Sequence, residues 1–419
     1  MRDPPGTINY ESALGRQIIE LHVWAVREGL RGTAADKLFN GLCQQLIIAG
    51  VPLWRGFAGM RTLHPQWGGY AYTWLRDLDA VQPAQFARGD AYEQDILNGP
   101  IGYLVRQAQA SGDSDIRWNL RRHLAGPKAQ YDFSSLEELA AAGATDYFAE
   151  VVRFGADGDR SRGSGIGYSF ATDRPGGFRD EDLVLLKAVL PAVSLAMMTH
   201  AGHTIASGLL AAYLGSDAGH RVHAGAVERG SVESVRAVLW YADIRGFTAI
   251  ADMTPGRKII ELLDEVFETL TASLRPRGGQ VLKFMGDGML AIFPFIEATR
   301  DETCRYALDA AVEAMQALER LSGARFEAGR PVGAVDLALH IGEVLYENVG
   351  AVDRLDFTVI GPAVNEVARI ETLCEPLGRK VLVSAEMATA AGDSLRLEPL
   401  GYHQLRGVRE PRAIYGLVL

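Results

Sequence analysis

The amino-acid sequence predicts an α/β (α+β) protein with two domains. A chain of 419 residues is long enough for two or three domains, and 48% hydrophobic with 22% charged residues is a globular composition. Segments with helical and with strand periodicity alternate in both halves. We therefore predict an amino-terminal domain at 1–199, a helical linker at 200–234 and a carboxy-terminal domain at 235–419.

Bulk properties exclude several classes of function. A net charge of −10 disfavours a general nucleic-acid binder. Cysteines 43, 304 and 374 have neither disulfide density nor metal-ligand spacing, so we expect buried thiols in a reducing compartment. The first residues form no apolar signal segment, and the apolar run Leu183–Met198 is too short and too interrupted to span a bilayer. We expect a cytoplasmic protein with neither a nucleic acid nor a membrane as partner.

The amino-terminal domain begins with two helices and continues with strands. Apolar residues recur at helical spacing in the first two segments, and later segments alternate as strands do. A long apolar helix closes the domain. The predicted elements are helices at Leu14–Ala25, Leu38–Ile48 and Asp180–Met198, and strands at Trp54–Leu63, Tyr70–Leu75, Tyr147–Phe154 and Gly165–Ala171.

Aromatic residues on these strands have two interpretations. Tyr70, Tyr72 and Trp74 share one strand face by period two. Together with Trp118 they could line a pocket for a small molecule, or they could form an ordinary core. A small-molecule ligand of this domain is therefore one of two alternatives, and its identity is not readable from the residues.

The linker is predicted to be helical. Apolar residues from Ile205 to Tyr213 lie at helical spacing, and Ser216 or Asp217 is placed to cap a second helix. A helical segment between two domains is suited to transmit a structural change from one to the other.

The carboxy-terminal domain has the element order β, α, β, β, α, β. Strand Ala237–Ala242 precedes a helix that we expect Thr254 to cap, with Pro255 as its first residue. The order is that of the ferredoxin-like split βαβ fold. The later elements are a hairpin around Gly286-Asp287-Gly288, a helix at Ala298–Leu321, a strand at Val335–Ile341, another strand after Gly342, and a strand, turn and helix within Leu355–Leu373.

Two aspartates stand where buried strands end. Asp243 follows the strand Ala237–Ala242, and Asp287 lies at the tip of the hairpin. Carboxylates on adjacent strand ends can converge on a divalent cation, and oxygen-only ligation suits Mg²⁺ or Mn²⁺. A pair of such ions can hold a triphosphate while activating a hydroxyl to attack it. Alone, an aspartate in a Gly-Asp-Gly turn is ordinary turn chemistry.

The stretches WYADIRGFT at 240–248 and LKFMGDGMLAIF at 282–293 resemble the class III nucleotidyl cyclase catalytic domain. The similarity covers about 235–419, and the separate motifs occur in the family's order. The resemblance implies that a nucleoside triphosphate is converted into a cyclic nucleotide with two Mg²⁺ or Mn²⁺ ions in each active site. The implied metal ligands are Asp243, Asp287 and the backbone carbonyl of Ile244.

Five further positions have roles by the same resemblance. Lys283 matches the lysine with which adenylyl cyclases read adenine, since an ammonium donates to the adenine N1 acceptor. Thr358 stands where many adenylyl cyclases have aspartate and resembles the subgroup that includes bicarbonate-responsive cyclases. Asn365 matches the asparagine that orients the ribose, and Arg369 matches the arginine that stabilises the α-phosphate in the transition state. Arg406 falls where the family often has a phosphate-contacting lysine.

The family builds each site from two catalytic domains, with the metal aspartates on one and the base, ribose and phosphate residues on the other. This chain carries one such domain, so the resemblance implies a homodimer with two composite sites. It predicts an adenylyl cyclase that converts ATP into 3′,5′-cyclic AMP and pyrophosphate under control of the amino-terminal domain. A guanylyl cyclase and a catalytically silent nucleotide-binding or dimerisation module stay as alternatives.

The amino-terminal domain is similar to a GAF domain, which is a small-molecule sensor module. The likeness lies in the order of elements and in the start of the closing helix, FRDEDL at 178–183. It implies that this domain senses a ligand for the catalytic half.

Overall fold

A computed structural model gives the fold and describes residues 11–64, 67–110, 117–154, 165–226, 233–295, 298–351, 355–392 and 397–419. The chain divides into two compact units, an amino-terminal unit of residues 1–209 and a carboxy-terminal unit of residues 210–419. The division falls inside the segment 200–234, whose role in transmission stays a prediction.

The amino-terminal unit is built on a six-stranded antiparallel sheet with the strand order β3-β2-β1-β6-β5-β4. The four predicted strands and three predicted helices are all present, and β2 begins three residues earlier than predicted. The assignment to the GAF family stays a prediction. The elements are α1 (Ala13–Leu30), α2 (Ala35–Ile48), β1 (Arg55–Arg61), β2 (Trp67–Leu75), β3 (Ala80–Ala87), α3 (Ala91–Asn98), α4 (Pro100–Ala110), β4 (Arg117–His123), α5 (Ser134–Ala141), β5 (Asp146–Arg153), β6 (Gly165–Thr172) and α6 (Asp180–Leu214).

Successive side chains of each strand point to opposite faces of the sheet, and the two faces contribute to separate hydrophobic cores. One face of the sheet packs against α1, α2 and α6, and Trp74 is fully buried there. The other face packs against α4 and α5, and Trp118 lies against that second core. The four predicted pocket aromatics therefore do not share one pocket, because Trp118 packs with a different cluster from Tyr70 and Tyr72.

Helix α6 is longer than predicted. It continues past Met198 to Leu214 and has 35 residues, so the expectation that the apolar run is too short to cross a membrane is wrong as to length. Among the described residues it is the one helix that is long and apolar enough for such a span. Half of its most apolar window is buried in the protein. Cys43, Cys304 and Cys374 are buried free thiols, as predicted, while the reducing compartment stays a prediction.

The carboxy-terminal unit contains an eight-stranded sheet flanked by helices. Its elements are α7 (Ser216–His223), β7 (Glu233–Ile244), α8 (Phe247–Met253), α9 (Gly256–Leu274), β8 (Gln280–Met285), β9 (Gly288–Pro294), α10 (Arg300–Glu327), β10 (Val335–Gly350), β11 (Leu355–Ile360), α11 (Pro362–Glu371), β12 (Val381–Ser384), α12 (Ala385–Ala391), β13 (Leu397–His403) and β14 (Arg412–Leu417).

The ferredoxin-like order is confirmed. Neighbouring strands β10, β7, β9 and β8 pair antiparallel in that order, as the two βαβ units of the split fold require. Helices α9 and α10 cover one face around the fully buried Trp240, and α11 covers the other face around Leu239. Strand β7 therefore lies inside the sheet, between β10 and β9, with helices over both faces.

Three local predictions in this unit are wrong. Gly215 is the N-cap residue of α7, and neither Ser216 nor Asp217 caps that helix. Pro255 is the N-cap residue of α9, while Thr254 ends α8, because the chain forms an extra short helix before α9. The two strands expected around Gly342 are one strand, β10. It is continuous because β7 pairs with its first part and β11 pairs with its last part.

Candidate active site

The two predicted metal ligands meet at the end of β7. Asp243 is the last residue but one of β7, and Ala242 pairs with Met289 at the start of β9. The hairpin turn between β8 and β9 has Gly286 at a φ of +67°, which glycine adopts without strain. The turn thus holds Asp287 beside the end of the neighbouring strand.

Gly288 leaves the space that the carboxylate of Asp243 needs. A Cβ atom at residue 288 would lie 2.9 Å from Asp243 Oδ2 and 3.1 Å from the hydroxyl oxygen of Tyr241. Both distances are too short for a side chain to fit unless the site moved. The Tyr241 hydroxyl donates to Asp243 Oδ2 over 3.4 Å, which is a weak hydrogen bond. Because residue 288 is glycine, the hairpin can lie close to the end of β7.

The two carboxyls carry uncompensated negative charge. Burial, the charge of Asp287 and a hydrogen bond between the two carboxyls raise the pKa of Asp243 to about 6. Among the described residues no cationic side chain acts to lower that pKa. A half-buried acidic pair without a cationic partner fits a divalent cation, which would supply the missing positive charge.

The described residues do not gather a closed metal cage. No group of three or more histidine, cysteine, aspartate or glutamate side chains within the described ranges is arranged to hold an ion. Mg²⁺ and Mn²⁺ commonly bind through one or two carboxylates, substrate phosphates and water. The pair of Asp243 and Asp287 fits that mode of binding.

Glu371 is an acid near the pair that sequence reasoning missed. It lies at the end of α11, and burial together with the charges of Asp243 and Asp336 raises its pKa to about 7. Its position two residues after Arg369 was visible in the sequence, but its proximity to Asp243 depends on how α11 packs on β7. Helix α11 therefore presents a third acid to the same region.

An ion pair holds the end of β7 in place. Asp336 on β10 pairs in register with Asp243, and it is buried. The guanidinium of Arg245 donates from Nε to Asp336 Oδ2 over 2.8 Å. The backbone N–H of Arg245 also donates to Ala334 O over 2.8 Å. Arg245 thus offsets part of the charge of Asp336, which still helps to raise the pKa of Asp243.

The predicted base-reading residues lie on strands that contact each other. Lys283 is half-buried on β8, opposite Leu290 of β9. Thr358 is half-buried on β11, and β11 contacts β8. The fold therefore brings these two strands together, although β9, α10 and β10 separate them along the chain.

The predicted ribose and phosphate residues lie on α11 and on the loop before β14. Asn365 is exposed, and Arg369 is half-buried one helical turn later on the same face. The loop that contains the exposed Arg406 packs against Arg369, because a Cβ atom at Gly407 would lie 3.5 Å from Arg369 Nη1. The structure thus brings the Arg406 loop and Arg369 together.

Ile244 ends β7 with a buried side chain. It is 2% exposed in the core formed with α9 and α10, and a Cβ atom at Gly333 would lie 2.6 Å from its Cγ2. The side chain anchors the strand end next to Asp243. That its carbonyl is a metal ligand stays a prediction.

A buried charge cluster attaches α11 to the sheet. Glu366, beside Asn365, lies 3.1 Å from His340 Nε2 on β10 and 3.1 Å from Arg412 Nη2 on β14. The hydrogen bond with His340, followed by that with Arg412, lowers the pKa of Glu366 to about 2 against the opposing effect of burial. The ionised carboxylate therefore connects two strands to the helix that carries Asn365 and Arg369.

We expect Glu366→Gln to lose an acid-dependent part of the stability. The pKa of Glu366 falls from 4.5 to about 2 on folding, so the ion pairs contribute on the order of 3 kcal/mol above pH 5. That contribution is lost as the pH falls from about 4.5 to about 2, where the native carboxylate becomes protonated. Urea unfolding of both proteins at a series of pH values measures the difference.

The matched control is Glu398→Gln, which removes an exposed pair with Arg379 and should change the free energy of unfolding by at most about 1 kcal/mol. A difference between wild type and Glu366→Gln that stays constant from pH 7 down to about pH 3 would contradict the assignment.

Comparison with known proteins agrees with this geometry. Residues 230–418 match the family model described as the adenylate and guanylate cyclase catalytic domain. An adenylate cyclase of Anabaena cylindrica is 30% identical over 162 residues, which are 38% of this chain and 31% of that protein. Adenylate cyclase 1 of Rhizobium meliloti is 29% identical over 181 residues, which are 42% of this chain and 27% of that protein. The chain thus spans about a third or less of these two relatives.

Solved structures match the same half of the chain. The adenylyl cyclase CyaB from P. aeruginosa is 22% identical with a TM-score of 0.41, over 45% of this chain and 96% of that one. The guanylyl cyclase Cya2 is 24% identical with a TM-score of 0.40, over 45% of this chain and 94% of that one. On the family match, residues 230–418 of this protein are a class III adenylate or guanylate cyclase catalytic domain.

Proposed function

We propose that this protein is an adenylyl cyclase that converts ATP into 3′,5′-cyclic AMP and pyrophosphate at a homodimer interface. The observation that carries the proposal is the half-buried pair of Asp243 and Asp287, which lacks a cationic partner among the described residues. The domain has both aspartates that the family uses, and their negative charge would hold the metal ions that accompany the nucleotide. The buried, free thiols of the chain are in keeping with a cytoplasmic location, which is part of the proposal.

Asp243 and Asp287 would hold two Mg²⁺ or Mn²⁺ ions, with the carbonyl of Ile244 as a further ligand. Such ions, when bound, lower the pKa of the ribose 3′-hydroxyl and neutralise charge on the phosphates. The two carboxylates stay fixed because β7 is held by the pairing of Arg245 with Asp336. Preorganised charge of this kind needs no rearrangement during the reaction.

Lys283 and Thr358 would recognise the base. The ammonium group of Lys283 only donates hydrogen bonds, so it suits the N1 acceptor of adenine and opposes the N1–H donor of guanine. The hydroxyl of Thr358 accepts from the exocyclic amine of adenine, but it also donates. Purine choice therefore depends mainly on Lys283.

Asn365, Arg369 and Arg406 would bind the rest of the nucleotide. The amide of Asn365 orients the ribose, so that its 3′-hydroxyl faces the α-phosphorus. Arg369 stabilises the charge that develops on the α-phosphate as the hydroxyl attacks and pyrophosphate leaves. Arg406, on the loop packed against Arg369, contacts the terminal phosphates with a planar guanidinium.

The faces of α11 support a site shared between two chains. Glu371 lies near Asp243 of its own chain, whereas Arg369 precedes it by two residues. Two residues correspond to about 200° around a helix, so the two side chains point to nearly opposite sides. An arginine that faces away from its own aspartates can serve the aspartates of a partner related by twofold symmetry.

Exposed apolar side chains lie on the strands that such a dimer would use, namely β8, the end of β10 and β11. Phe284 is 50% exposed and Ile360 is 44% exposed. The other exposed apolar residues are Met285, Leu345, Val349 and Leu355. Burial of such side chains against a second chain would favour the dimer.

Regulation by the amino-terminal unit is the last part of the proposal. Helix α6 runs to Leu214, and α7 follows one residue later. The backbone of Gly215 approaches β8, since a Cβ atom there would lie 2.8 Å from Val281 O. Arg221 of α7 also forms ion pairs with Asp217 and with Glu233 at the start of β7. A movement of α6 would therefore reach the two strands that carry Lys283 and Asp243.

We expect purified full-length protein to form cyclic AMP from ATP, and Asp243→Asn to lower the rate at least a hundredfold. The amide cannot replace the charge that holds the metal ions. Chromatographic separation of the products formed from ATP and from GTP, in Mg²⁺ and in Mn²⁺, measures the rates. Asp252→Asn, an exposed aspartate on α8, is the matched control and should leave the rate unchanged.

Cyclic GMP formed faster than cyclic AMP would identify a guanylyl cyclase. Nucleotide binding without either product, in both metals, would identify a silent nucleotide-binding module. Equal rates for wild type and Asp243→Asn would remove the carboxylate pair from the mechanism.

Lys283→Glu should reverse or erase the preference for ATP over GTP. A carboxylate accepts from the N1–H of guanine and repels the N1 acceptor of adenine, so we expect kcat/KM for ATP to fall about a hundredfold or more. Competition between the two triphosphates in one reaction measures the ratio directly. Lys258→Glu, an exposed lysine on α9, makes the same charge change away from the base and should keep the ratio.

Mixing two inactive variants should restore activity if the site is shared. Asp243→Asn and Arg369→Ala damage opposite halves of a composite site, so a mixed dimer has one intact site and one doubly damaged site. Random assortment of equal amounts should give about a quarter of the wild-type rate. Co-expression with two affinity tags isolates the mixed dimer, and no recovery in that fraction would place both residues in one chain's site.

A further inference from the structure

A cavity of about 470 Å³ lies in the amino-terminal unit, on the side of the sheet that packs against α1, α2 and α6. Strands β1, β2 and β3 form its floor, and α6 and the start of α2 form its walls. This volume is within the range of pockets that bury a small organic ligand. The sequence-predicted pocket aromatics Tyr70 and Tyr72 both line it.

Two hydroxyl-bearing residues with little exposed surface line this cavity. Thr62 is 7% exposed and Tyr72 is 8% exposed. The backbone N–H of Thr62 donates to Gly68 O over 3.0 Å. A hydroxyl group both donates and accepts hydrogen bonds, so these two residues can pair with polar groups of a ligand.

Apart from the two tyrosines, the described charged or titratable residues that line the cavity are Asp36, Arg61 and His200. Asp36, in the first turn of α2, lines the cavity and has no ion-pair partner among the described residues. Burial, followed by the negative charge of Asp36, raises the pKa of Tyr72 to about 12. The guanidinium of Arg61 also lines the cavity, but Glu93 holds it over 3.0 Å. The carboxylate of Asp36 is therefore left without a balancing cation.

We propose that this cavity binds a small organic ammonium ion. An ammonium group placed between the Asp36 carboxylate and the rings of Tyr70 and Tyr72 gains both an ion pair and attraction to the aromatic faces. Pro83 and Ile205 offer apolar surface to the organic part of the ion. The proposal concerns binding alone and does not depend on the proposed cyclase activity.

Four lining residues, Ala201 among them, connect the cavity to α6. His200, Thr204 and Ile205 belong to the part of α6 beyond the predicted end of the helix, and Thr204 Oγ1 lies 3.5 Å from His200 Nε2. A bound cation would contact the same helix that continues to Leu214. Binding of a ligand in the cavity would thus act directly on α6.

The test is calorimetric titration of the full-length protein with three compounds of one shape and different charge. The probes are phenethylammonium, the neutral 2-phenylethanol and the anionic 3-phenylpropanoate, and the further cations choline and tetraethylammonium cover other ammonium types. We expect at least one ammonium ion to bind, with an affinity at least tenfold higher than that of the neutral compound. Asp36→Asn should weaken that binding about tenfold or more, and Tyr72→Phe should weaken it less.

Glu20→Gln is the control, because Glu20 is an exposed acid on α1 that does not line the cavity. It should leave the affinity unchanged. Circular dichroism checks that each variant is folded. Preference for the anion, equal binding of the neutral compound, unchanged affinity in Asp36→Asn, or no binding of any of the three ammonium ions would each overturn the proposal.

Discussion

The close approach of two carboxylates at the end of β7 is the constraint on which the catalytic unit depends. Asp243 and Asp287 repel each other, and partial burial makes that repulsion stronger than it would be in water. A fold can hold such a pair only if the surrounding strands resist separation. A divalent cation removes the repulsion, so the same charge that strains the site gives it affinity for a metal.

Several features of the fold keep the two carboxylates close together. Strand β7 lies between β10 and β9 inside the sheet, with helices over both faces. Gly288 lets the hairpin approach without a clash, and Arg245 pairs with Asp336, the buried acid opposite Asp243 on β10. Glu371 stays close to the pair, and burial with neighbouring acids raises its pKa to about 7. The site is therefore shaped by charge balance as much as by packing.

Helix α11 links this site to a partner chain in the proposed dimer. One of its faces turns Glu371 toward β7, and another carries Asn365 and Arg369. The Glu366 cluster keeps the helix in one orientation, so the two sets of residues cannot exchange faces. One chain then contributes to two sites, and rotation of one catalytic domain against the other would alter both. Such geometry makes a shared site responsive to a regulatory unit.

Periodicity and local motifs account for much of the fold. The alternation of apolar residues predicted the strands and helices, and glycines around Asp287 predicted the hairpin, because these signals lie within a few neighbouring residues. Errors occurred at element ends. Helix α6 passes Met198 and β10 passes Gly342, since packing partners elsewhere in the chain extend both elements.

The sequence by itself therefore determined the order of elements, the split βαβ core and the family of the catalytic domain. Only the tertiary structure decided that Glu371 lies near Asp243, and that Asp36, Tyr72 and His200 line one cavity. These residues are far apart along the chain, so no local pattern joins them. Side chains on separate elements come together through packing, and their charges interact only once water between them has been excluded.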